Sequence, residues 1–382
     1  MKVLVTGVSG QLGHDVMNEL DKRGYTGIGS DIADNYSGIQ DNSAVTTMEY
    51  VKMDITDEAV VDEVISSVSP DVIIHCAAWT ADDDKVEKVR AVNAKGTANI
   101  AKAAKKLDCK MVYISTDYVF NGQGEKPWEP DCKEYKPLNV YGQTKLEGEL
   151  AVADTLSKYF IVRIAWVFGA NGNNFIKTMI KVGKNHETVR VVNDQIGTPT
   201  YTLDLAVLLV DMIATEKYGY YHATNEGGYI SWYDFACEIY RQAGMDIKVI
   251  PVSTEEYGLS KAARPFNSRL DKSKLKEAGF TPLPTWQNAV ERYIKYLKER
   301  KMINMKRISD IMWGLIFIII GVILGGNALD IFNINLFFDG WWTLFIIVPT
   351  FIGLVTDNDK IGNLIGLIIG LIMDALKPQS TR

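Results

Sequence analysis

Residues 2–13 read Lys2-Val3-Leu4-Val5-Thr6-Gly7-Val8-Ser9-Gly10-Gln11-Leu12-Gly13. The part before the glycines is rich in β-branched residues, which is typical of a strand buried in a parallel sheet. Val16 and Leu20 then recur at the spacing of a helix face. A strand, a glycine turn and a helix in this order suit a dinucleotide, because the backbone can approach a pyrophosphate that faces the helix N-terminus. We therefore predict an α/β nucleotide-binding fold.

A second strand is predicted at Gly27-Ile28-Gly29-Ser30, and it ends at Asp31. An acid at the end of the second strand of such a fold can hydrogen-bond the ribose hydroxyls of adenosine, and it would repel a 2′-phosphate. Asp31 therefore favours NADH over NADPH. An Asp is an equally good turn former, and this alternative stays open.

Further strands alternate with helices along the first part of the chain. They are expected near Val51, from Asp71, over Lys110–Thr116 and over Phe160–Ala165. This rhythm indicates a Rossmann-type, doubly wound parallel sheet. The strand that begins at Asp71 runs into Ala77-Ala78-Trp79-Thr80, where small side chains would let a nicotinamide ribose come close.

Tyr141 and Lys145 stand four residues apart in Asn139-Val140-Tyr141-Gly142-Gln143-Thr144-Lys145-Leu146-Glu147. On a helix they share one face, so the ammonium of Lys145 is expected to lower the pKa of the Tyr141 phenol. Such a phenol is a good proton donor to the alkoxide that develops when a hydride reaches a ketone. The same spacing occurs on ordinary solvated helix faces, so the pair alone is a weak signal.

Composition argues against several classes of function. The chain has 382 residues, a net charge of -6 and a pI near 5.4, which argues against a nucleic-acid partner. Its length suggests two or three domains at roughly 150 residues each. The four cysteines form no C-x-x-C pair and are expected to be reduced thiols, and the four histidines show no metal-ligand spacing. Met1 leads directly into the first strand, so no secretory signal is expected.

Several motifs together resemble the dTDP-4-dehydrorhamnose reductases, a branch of the extended short-chain dehydrogenase/reductases. The glycine spacing of residues 7–13 is similar to that of the whole group. The more specific segments are Ser115-Thr116-Asp117-Tyr118-Val119-Phe120, Leu138-Asn139-Val140-Tyr141-Gly142, Arg163-Ile164-Ala165-Trp166-Val167-Phe168-Gly169, Asn174-Phe175 and Val192-Asn193-Asp194-Gln195-Ile196-Gly197-Thr198-Pro199-Thr200. The likeness runs in order from about Lys2 to Tyr296.

The resemblance implies reduction of the C4 ketone of dTDP-6-deoxy-L-lyxo-4-hexulose to dTDP-L-rhamnose by NADPH or NADH. The implied catalytic residues are Thr116, Tyr141 and Lys145. The implied cofactor-binding residues are Gly7, Gly10, Gln11, Leu12, Gly13, Asp31, Asp54, Ile55, Ala77, Ala78, Thr80, Tyr141 and Lys145. The implied substrate-binding residues are Thr116, Asp117, Trp166, Asn174 and Arg264. A Mg²⁺ ion at a subunit interface and a homodimer are further candidates, with no metal ligands assigned.

These implied roles make physical sense, although each has a plainer alternative. The Thr116 hydroxyl could hydrogen-bond the substrate carbonyl beside Tyr141. Asp117 is either a substrate contact or a turn residue, and Trp166 either supports a deoxysugar ring or belongs to the core. Arg264 could grip a diphosphate, because guanidinium forks suit phosphate oxygens, or it could be a solvated surface residue.

One departure from the family concerns Ala81-Asp82-Asp83-Asp84-Lys85. This acidic segment after Thr80 is shorter than in similar proteins. The geometry of the loop beside the nicotinamide and the sugar is therefore expected to differ, and activity could be weaker.

The Rossmann rhythm breaks past residue 170. Helices are predicted at Phe175–Val182, Leu203–Ile213 and Trp232–Ala243, with Gly- and Pro-bearing loops between them. We predict a Rossmann domain over residues 1–170 and a smaller substrate-binding lobe over residues 171–300, whose elements interleave with the first domain.

The C-terminal region is apolar. A basic linker is predicted over residues 301–310 and transmembrane helices over residues 311–376, with apolar runs at Ile308–Leu324, Thr343–Val355 and Ile361–Leu376. The basic residues before the first run are Lys295, Lys298, Arg300, Lys301, Lys306 and Arg307. Basic flanks stay in the cytoplasm, so the catalytic domain is expected there. Each run is short for a span, and a buried soluble hairpin is the alternative.

The same region resembles the small transmembrane part of bacterial envelope-stress membrane proteins. Met305-Lys306-Arg307 is similar to a protein start, so a fusion of two originally separate chains is plausible. The leading hypothesis is thus a membrane-anchored reductase. An epimerase or dehydratase acting on another nucleotide sugar stays open. So does a non-catalytic dinucleotide-binding subunit, because the family also resembles the regulatory partner of methionine adenosyltransferase.

Overall fold

Two units make up the chain, and each is described by itself. The computed structural model describes residues 1–35, 49–80, 85–258, 263–331, 333–335, 341–356 and 360–375. One unit, here called the body, spans Met1–Tyr293, and the other, here called the tail, spans Ile294–Arg382.

Strands form throughout the body, and the first six of them lie where the sequence predicted strands. In chain order they are β1 (Lys2–Thr6), β2 (Thr26–Asp31), β3 (Glu49–Lys52), β4 (Val72–His75), β5 (Lys110–Thr116), β6 (Tyr159–Ile164), β7 (Val167–Phe168), β8 (Thr188–Val192), β9 (Ile196–Gly197), β10 (Thr200–Tyr201), β11 (Gly219–His222), β12 (Ile230–Ser231) and β13 (Lys248–Val252). Within the described residues, seven of them form one sheet in the order β11-β6-β5-β4-β1-β2-β3. Every pair in this sheet is parallel, so the predicted Rossmann-type sheet is confirmed.

The helices alternate with these strands and continue into the tail. They are α1 (Gln11–Lys22), α2 (Glu58–Val68), α3 (Val86–Arg90), α4 (Thr97–Lys106), α5 (Val140–Thr155), α6 (Phe175–Gly183), α7 (Thr202–Ile213), α8 (Trp232–Ala243), α9 (Thr254–Tyr257), α10 (Ser273–Glu277), α11 (Trp286–Ala328), α12 (Leu344–Thr356) and α13 (Lys360–Ala375). A π-helical stretch, Ala91–Gly96, joins α3 to α4. The three helices predicted past residue 170 correspond to α6, α7 and α8.

The turn between β1 and α1 requires glycine at Gly7. Its φ of +73° lies in the left-handed region, and a Cβ there would stand 2.6 Å from the backbone nitrogen of Ala77. A side chain at this position would therefore collide with the chain that leaves β4. Glycine lets β1 and β4 end side by side, which places the turn at the carboxyl edge of the sheet.

Apolar layers cover both faces of the sheet. One face packs on α1 and α7, through residues such as Val16, Leu20, Leu205 and Leu209. The other face packs on α2, α4 and α5, through residues such as Ile65 and Ile100. Both α7 and β11 fall within the range predicted for the substrate lobe, but they complete the sheet and its cover. The division into a domain over residues 1–170 and a lobe over residues 171–300 stays a prediction.

The remaining body elements form the smaller lobe region. Here β8 pairs in parallel with β13, and β9 pairs antiparallel with β12. Helix α8 packs on α6 and on the β8–β13 pair. A capping box at Ser231 and Asp234 begins α8, and Gly244 in the left-handed region ends it.

The tail has helices whose apolar side chains are largely exposed. Residues 301–310, predicted as a basic linker, are helical within α11, since no Gly or Pro interrupts this stretch. Among the described residues, α11 alone is long and apolar enough to cross a membrane, whereas α12 and α13 are shorter. Pro349 lies inside α12, and α12 packs against α13.

Candidate active site

A cavity of about 550 Å³ lies at the carboxyl edge of the sheet, beside the glycine turn. Seven of the predicted cofactor residues line it, namely Gly7, Gly10, Asp31, Asp54, Ile55, Ala77 and Ala78. Its position outside the ends of β1, β2 and β4 is where doubly wound sheets hold dinucleotides.

The cavity fits a dinucleotide on structural grounds. The hydroxyl of Ser30 is buried in its wall and has no hydrogen-bond partner among the described residues. A buried hydroxyl without a partner is costly, and a ligand oxygen would satisfy it. The bare backbone at Gly7 keeps open the space that a pyrophosphate needs.

Other predicted cofactor residues lie behind this cavity or at its margin. Leu12 is buried in the apolar layer around α1. Gln11 accepts a hydrogen bond from Asn174 at 3.3 Å, and Gly13 packs on the carbonyl of Gly7. Thr80 is exposed. Gln11, Leu12 and Gly13 therefore shape the turn, and their direct contact with a cofactor stays a prediction.

Asp31 and Asp54 both line the cavity, and both accept hydrogen bonds from neighbouring backbone N–H groups. Asp31 accepts hydrogen bonds from the backbone N–H groups of Ser9 (3.0 Å) and Ile32 (2.8 Å). Asp54 accepts from the N–H and the hydroxyl of Thr56, at 2.9 and 2.8 Å. The two alternatives considered for Asp31 are therefore compatible, because its carboxylate fixes the turn and Asp31 also lines the cavity.

Sequence reasoning missed several wall residues. They include Ser30, Met53, Cys76, Trp79 and Lys88. The ammonium of Lys88 lies 4.1 Å from the centre of the Trp79 ring. No motif marks these residues, since only the folding of α3 toward β4 brings Lys88 to the cavity. The acidic segment Ala81–Asp84, predicted to be shortened, lies outside the described residues.

Helix α5 carries Tyr141 and Lys145, and Asn139 determines where it begins. The Asn139 side chain accepts a hydrogen bond from the N–H of Gly142 at 2.8 Å, as an N-cap does. The helix continues to Thr155. Tyr141 thus stands in the first turn, where its ring meets the edge of Tyr118 with centroids 5.7 Å apart.

Tyr141, Thr116 and Asp117 form a connected polar group. The Thr116 hydroxyl lies near the Tyr141 phenol and opposes the rise in the pKa of that phenol, and Thr116 donates to a carboxylate oxygen of Asp117 at 3.0 Å. Burial raises the pKa of Asp117 to about 6, against hydrogen bonds with Ser268 and Thr116. The structure thus brings together three residues that the sequence had assigned to proton donation and substrate binding.

The prediction that Lys145 lowers the pKa of Tyr141 is wrong for this structure. Burial, and next the charge of Asp117, raise the pKa of Tyr141 to about 12, opposed by the Thr116 hydrogen bond. The ammonium of Lys145 instead lies 4.1 Å from the centre of the Tyr113 ring, which belongs to β5. The phenol is therefore a protonated group throughout the neutral range.

Lys145 is itself strongly perturbed. It is buried, with 2% of its surface exposed. Burial lowers the pKa of Lys145 to about 7, although Glu149 and Cys76 favour the charged form. Cys76 belongs to the cavity wall, so the charge interaction between Cys76 and Lys145 places the Lys145 ammonium near this cavity.

Arg264 borders a second cavity of about 370 Å³ in the lobe region, and Trp166 packs on one of the residues that line it. The ring of Trp166 stacks on Trp232 with centroids 3.7 Å apart. Trp232, Phe175 and Arg264 line the cavity. Trp166 has a φ of +50°, a strained conformation for a bulky residue that costs about 1–3 kcal/mol. Trp166 belongs to an aromatic cluster, so its contact with a sugar ring stays a prediction.

Asn174, predicted to bind substrate, is occupied within the protein. Its amide donates to the Gly169 carbonyl and the Tyr293 hydroxyl, each at 2.9 Å. Its oxygen caps α6 by accepting from the N–H of Lys177 at 3.0 Å. Asn174 is buried, with 8% of its surface exposed, so it has a structural role at the start of α6. Its contact with substrate stays a prediction.

Metal ligation gains no structural support. Across the described residues, no group of three or more His, Cys, Asp or Glu side chains could hold a metal ion. The Mg²⁺ ion at a subunit interface, considered from the family resemblance, therefore stays a prediction. The cysteines Cys76, Cys109, Cys132 and Cys237 are all free thiols.

Comparison with known proteins gives a consistent assignment. Residues 1–299 match the RmlD substrate binding domain. The dTDP-4-dehydrorhamnose reductase of Streptomyces griseus is 38% identical over 296 residues, covering 75% of this chain and 91% of the relative.

Two solved structures are similar to the body. A dTDP-4-dehydrorhamnose reductase from Clostridium acetobutylicum has 40% identity and a TM-score of 0.70, covering 78% of this chain and 100% of that chain. The same enzyme from Bacillus anthracis, in complex with NADP, has 38% identity and a TM-score of 0.68, covering 77% of this chain and 99% of that chain. The similarity thus spans the body, while the tail is additional to these proteins.

Proposed function

Since the chain belongs to the RmlD substrate binding domain family, we propose that it is an NAD(P)H-dependent dTDP-4-dehydrorhamnose reductase. It reduces the C4 ketone of dTDP-6-deoxy-L-lyxo-4-hexulose to dTDP-L-rhamnose. The observation that carries this proposal is the polar group of Tyr141, Thr116 and Asp117 next to a cavity that fits a dinucleotide. When bound there, the reduced nicotinamide supplies the hydride.

Tyr141 is the proton donor in this proposal. Burial holds its pKa near 12, so the phenol carries its proton at neutral pH, as an acid must before it acts. Thr116 lies near the phenol and orients its hydroxyl. Together the two hydroxyls stabilise negative charge on the substrate oxygen.

In this proposal Lys145 binds the coenzyme ribose. Its ammonium rests on the Tyr113 ring beside Cys76 of the cavity wall. An ammonium has three donors and suits ribose hydroxyls. This role replaces the direct action on the Tyr141 phenol that the sequence suggested.

The second cavity is the proposed site for the nucleotide part of the substrate. Arg190 and Arg264 bring two guanidinium groups to it, and Phe175 and Trp232 supply aromatic surface. Guanidinium forks suit a diphosphate, and an aromatic wall suits a base. A dTDP-sugar has both features.

The decisive assay follows nicotinamide absorbance with the detergent-purified full chain and the dTDP-4-keto sugar. Wild type is expected to oxidise NADH or NADPH, and Tyr141→Phe to lose about 10²- to 10⁴-fold in kcat while still binding coenzyme. Glu147→Gln, at a half-exposed residue of the same helix paired with Arg90 at 3.0 Å, is the matched control.

Each outcome separates the candidate functions. Oxidation that survives Tyr141→Phe removes this phenol from the mechanism. Coenzyme binding without oxidation in wild type favours the non-catalytic subunit. Conversion of another nucleotide sugar with no net coenzyme oxidation indicates the epimerase or dehydratase.

The tail is proposed to anchor the reductase in a membrane with the body in the cytoplasm. The support is that α11 is long and apolar enough to span, and that basic residues, among them the exposed Lys301, Lys306 and Arg307, precede its apolar part. A homodimer stays a prediction, which the mass of the detergent-purified chain would test.

A further inference from the structure

The ammonium of Lys88 lies on an aromatic face in the wall of the dinucleotide cavity. It stands 4.1 Å from the centre of the Trp79 ring, and both residues line the cavity. Lys102, further along the same run of helix, instead pairs with Glu58 at 2.9 Å. Among the described residues, the face of an indole holds Lys88 in place of an acid. Lys88 is also exposed, so its charge is available to a ligand.

Trp79 is held in place through its own backbone. Its N–H donates to the side-chain oxygen of Asn93 at 2.8 Å, and the Asn93 amide donates back to the Trp79 carbonyl at 3.0 Å. Asn93 is 0% exposed and also donates to the Thr144 hydroxyl at 3.2 Å. Thr144 belongs to α5, so the helix that carries Tyr141 also fixes the backbone of Trp79.

The segment that carries Lys88 has an unusual local structure. Lys88 lies in α3, which the buried Val89 attaches to the body. Helix α3 leads directly into the π-helical stretch Ala91–Gly96, which contains Asn93. Such π-helical turns are rare and occur frequently at functional sites. One short segment thus supplies both the cation and the residue that holds its aromatic partner.

The fixed charges of the cavity leave a phosphate in need of a cation. Among the described residues that line the cavity, Asp31 and Asp54 are acids and Lys88 is the one basic residue. The phosphates of a dinucleotide bring further negative charge. The N-terminus of α1 opposes it with only about half a unit of positive charge. Lys88 is therefore the wall residue that can balance a coenzyme phosphate.

An unpaired donor belongs to the same pair of residues. The Nε1 atom of Trp79 is buried and has no hydrogen-bond partner among the described residues. A buried N–H without a partner is costly, and a ligand oxygen would satisfy it. The indole N–H and the Lys88 ammonium are both donors and neither can accept, so together they suit an oxyanion.

We propose that Lys88 binds a phosphate group of the coenzyme, and that Trp79 is a positioning residue that holds the ammonium at the cavity. The ring face attracts the cation without neutralising its charge. A carboxylate in the same place would form an ion pair that a phosphate must first displace. The identity of the ligand rests on the proposed function. The pyrophosphate of either coenzyme and the 2′-phosphate of NADPH offer this same chemistry.

The test measures the dissociation constants of NADPH and NADH for the full chain in detergent, by nicotinamide fluorescence, without substrate. Lys88→Met keeps a flexible stem and removes the charge, and it is expected to weaken binding by about 5- to 20-fold. Equal weakening of both coenzymes assigns the contact to the pyrophosphate. Weakening of NADPH alone assigns it to the 2′-phosphate. Lys88→Arg, which keeps the charge and stacks on aromatic rings, should stay within about threefold of wild type.

The role of Trp79 is tested by a double-mutant cycle. Trp79→Leu should weaken binding by about 2- to 5-fold, and Trp79→Phe, which keeps an aromatic face, should recover most of that loss. In the Lys88→Met background, Trp79→Leu should have little further effect, because the cation it positions is gone. Lys95→Met, at an exposed lysine of the π-helical stretch that does not line the cavity, is the matched control.

Each result decides between the proposals. Lys88→Met that binds both coenzymes as tightly as wild type overturns the inference, while oxidation with the keto sugar would still support the reductase. Fully additive losses in the cycle overturn the positioning role of Trp79. Binding that depends on Lys88, with no oxidation by the keto sugar, refutes the reductase proposal and leaves the role of Lys88 standing. Absence of coenzyme binding in folded wild type overturns both.

Discussion

The body and the tail contain the same apolar residue types in opposite surroundings. In the body, Ile65, Ile73 and Ile100 are 0% exposed. In the tail, Phe317 and Ile318 are 66% and 63% exposed. Soluble proteins rarely leave contiguous apolar surface of this kind uncovered. The comparison indicates that the body buries its apolar side chains within the protein, whereas those of the tail require apolar surroundings that the protein does not supply.

The difference does not lie in apolar content alone. Helix α7, Thr202–Ile213, carries Leu205, Leu208, Leu209 and Met212 on one face, and all four are buried between α1 and the sheet. Helix α13 is similarly apolar but leaves Ile361, Leu364 and Ile365 exposed. An apolar helix is therefore a core element or a membrane element according to whether a sheet is available to cover it.

The largest expected effect comes from removing the tail. Deletion of residues 308–382 should move the protein from the membrane pellet to the soluble fraction, because the exposed apolar surface is lost. The kcat/KM of coenzyme oxidation should stay within about twofold, since the similar reductases correspond to the body alone.

A shorter deletion, of residues 376–382 beyond α13, is the control and should stay with membranes. A full chain that remains soluble without detergent would show that the tail covers its own apolar surface. That result would remove the contrast between the two units.

Next in size is a matched pair of isoleucines. Ile65→Ala in the body should lower the free energy of unfolding by about 2–5 kcal/mol, because the buried site loses contacts and gains a cavity. Ile318→Ala in the tail should change it by less than about 0.5 kcal/mol. Urea unfolding of both variants in detergent, followed by tryptophan fluorescence, checks this. Equal losses would mean that the tail has a protein core of its own.

A smaller, pH-dependent effect is expected at Asp15, a carboxyl that the body buries. Burial raises the pKa of Asp15 from 3.8 to about 6, opposed by the hydrogen bond from Thr202 and aided by the charge of Asp204. The stability that protonated Asp15 contributes is fully present below pH 3.8 and is lost as the pH rises through about 6.

Asp15→Asn should therefore match wild type at pH 4 and exceed it at pH 7.5 by about 1–3 kcal/mol. Thermal unfolding at the two pH values measures the difference. Asp62→Asn, at an exposed carboxyl paired with Lys106 at 2.6 Å, is the control. An equal gain at both pH values would assign the effect to something other than the charge of Asp15.

Local patterns predicted much of the architecture. The strand at Lys110–Thr116 and the helix at Trp232–Ala243 form over the residues expected. The glycine turn with Gly7 and Gly10 lies at the cavity that the motif indicated. These features depend on neighbours in the chain, so residue type and spacing were sufficient to find them.

The site was predicted less completely, for a physical reason. Spacing on α5 placed Tyr141 and Lys145 on one face, but burial on Tyr113 directed the ammonium away from the phenol and raised the pKa of the phenol. The amide of Asn174 donates to Gly169 and Tyr293, contacts that the sequence did not indicate, and its contact with substrate stays a prediction. Such contacts are not encoded in the few residues around the motif.

Residue order alone established the doubly wound sheet, the dinucleotide turn and the apolar tail, because hydrophobic period and glycine placement act over short stretches of chain. Only the packing of distant segments decided how acidic Tyr141 is and where the Lys145 ammonium lies. Those properties depend on how much water each group loses and on which charges from other strands face it, and both arise when the sheet and its helices come together.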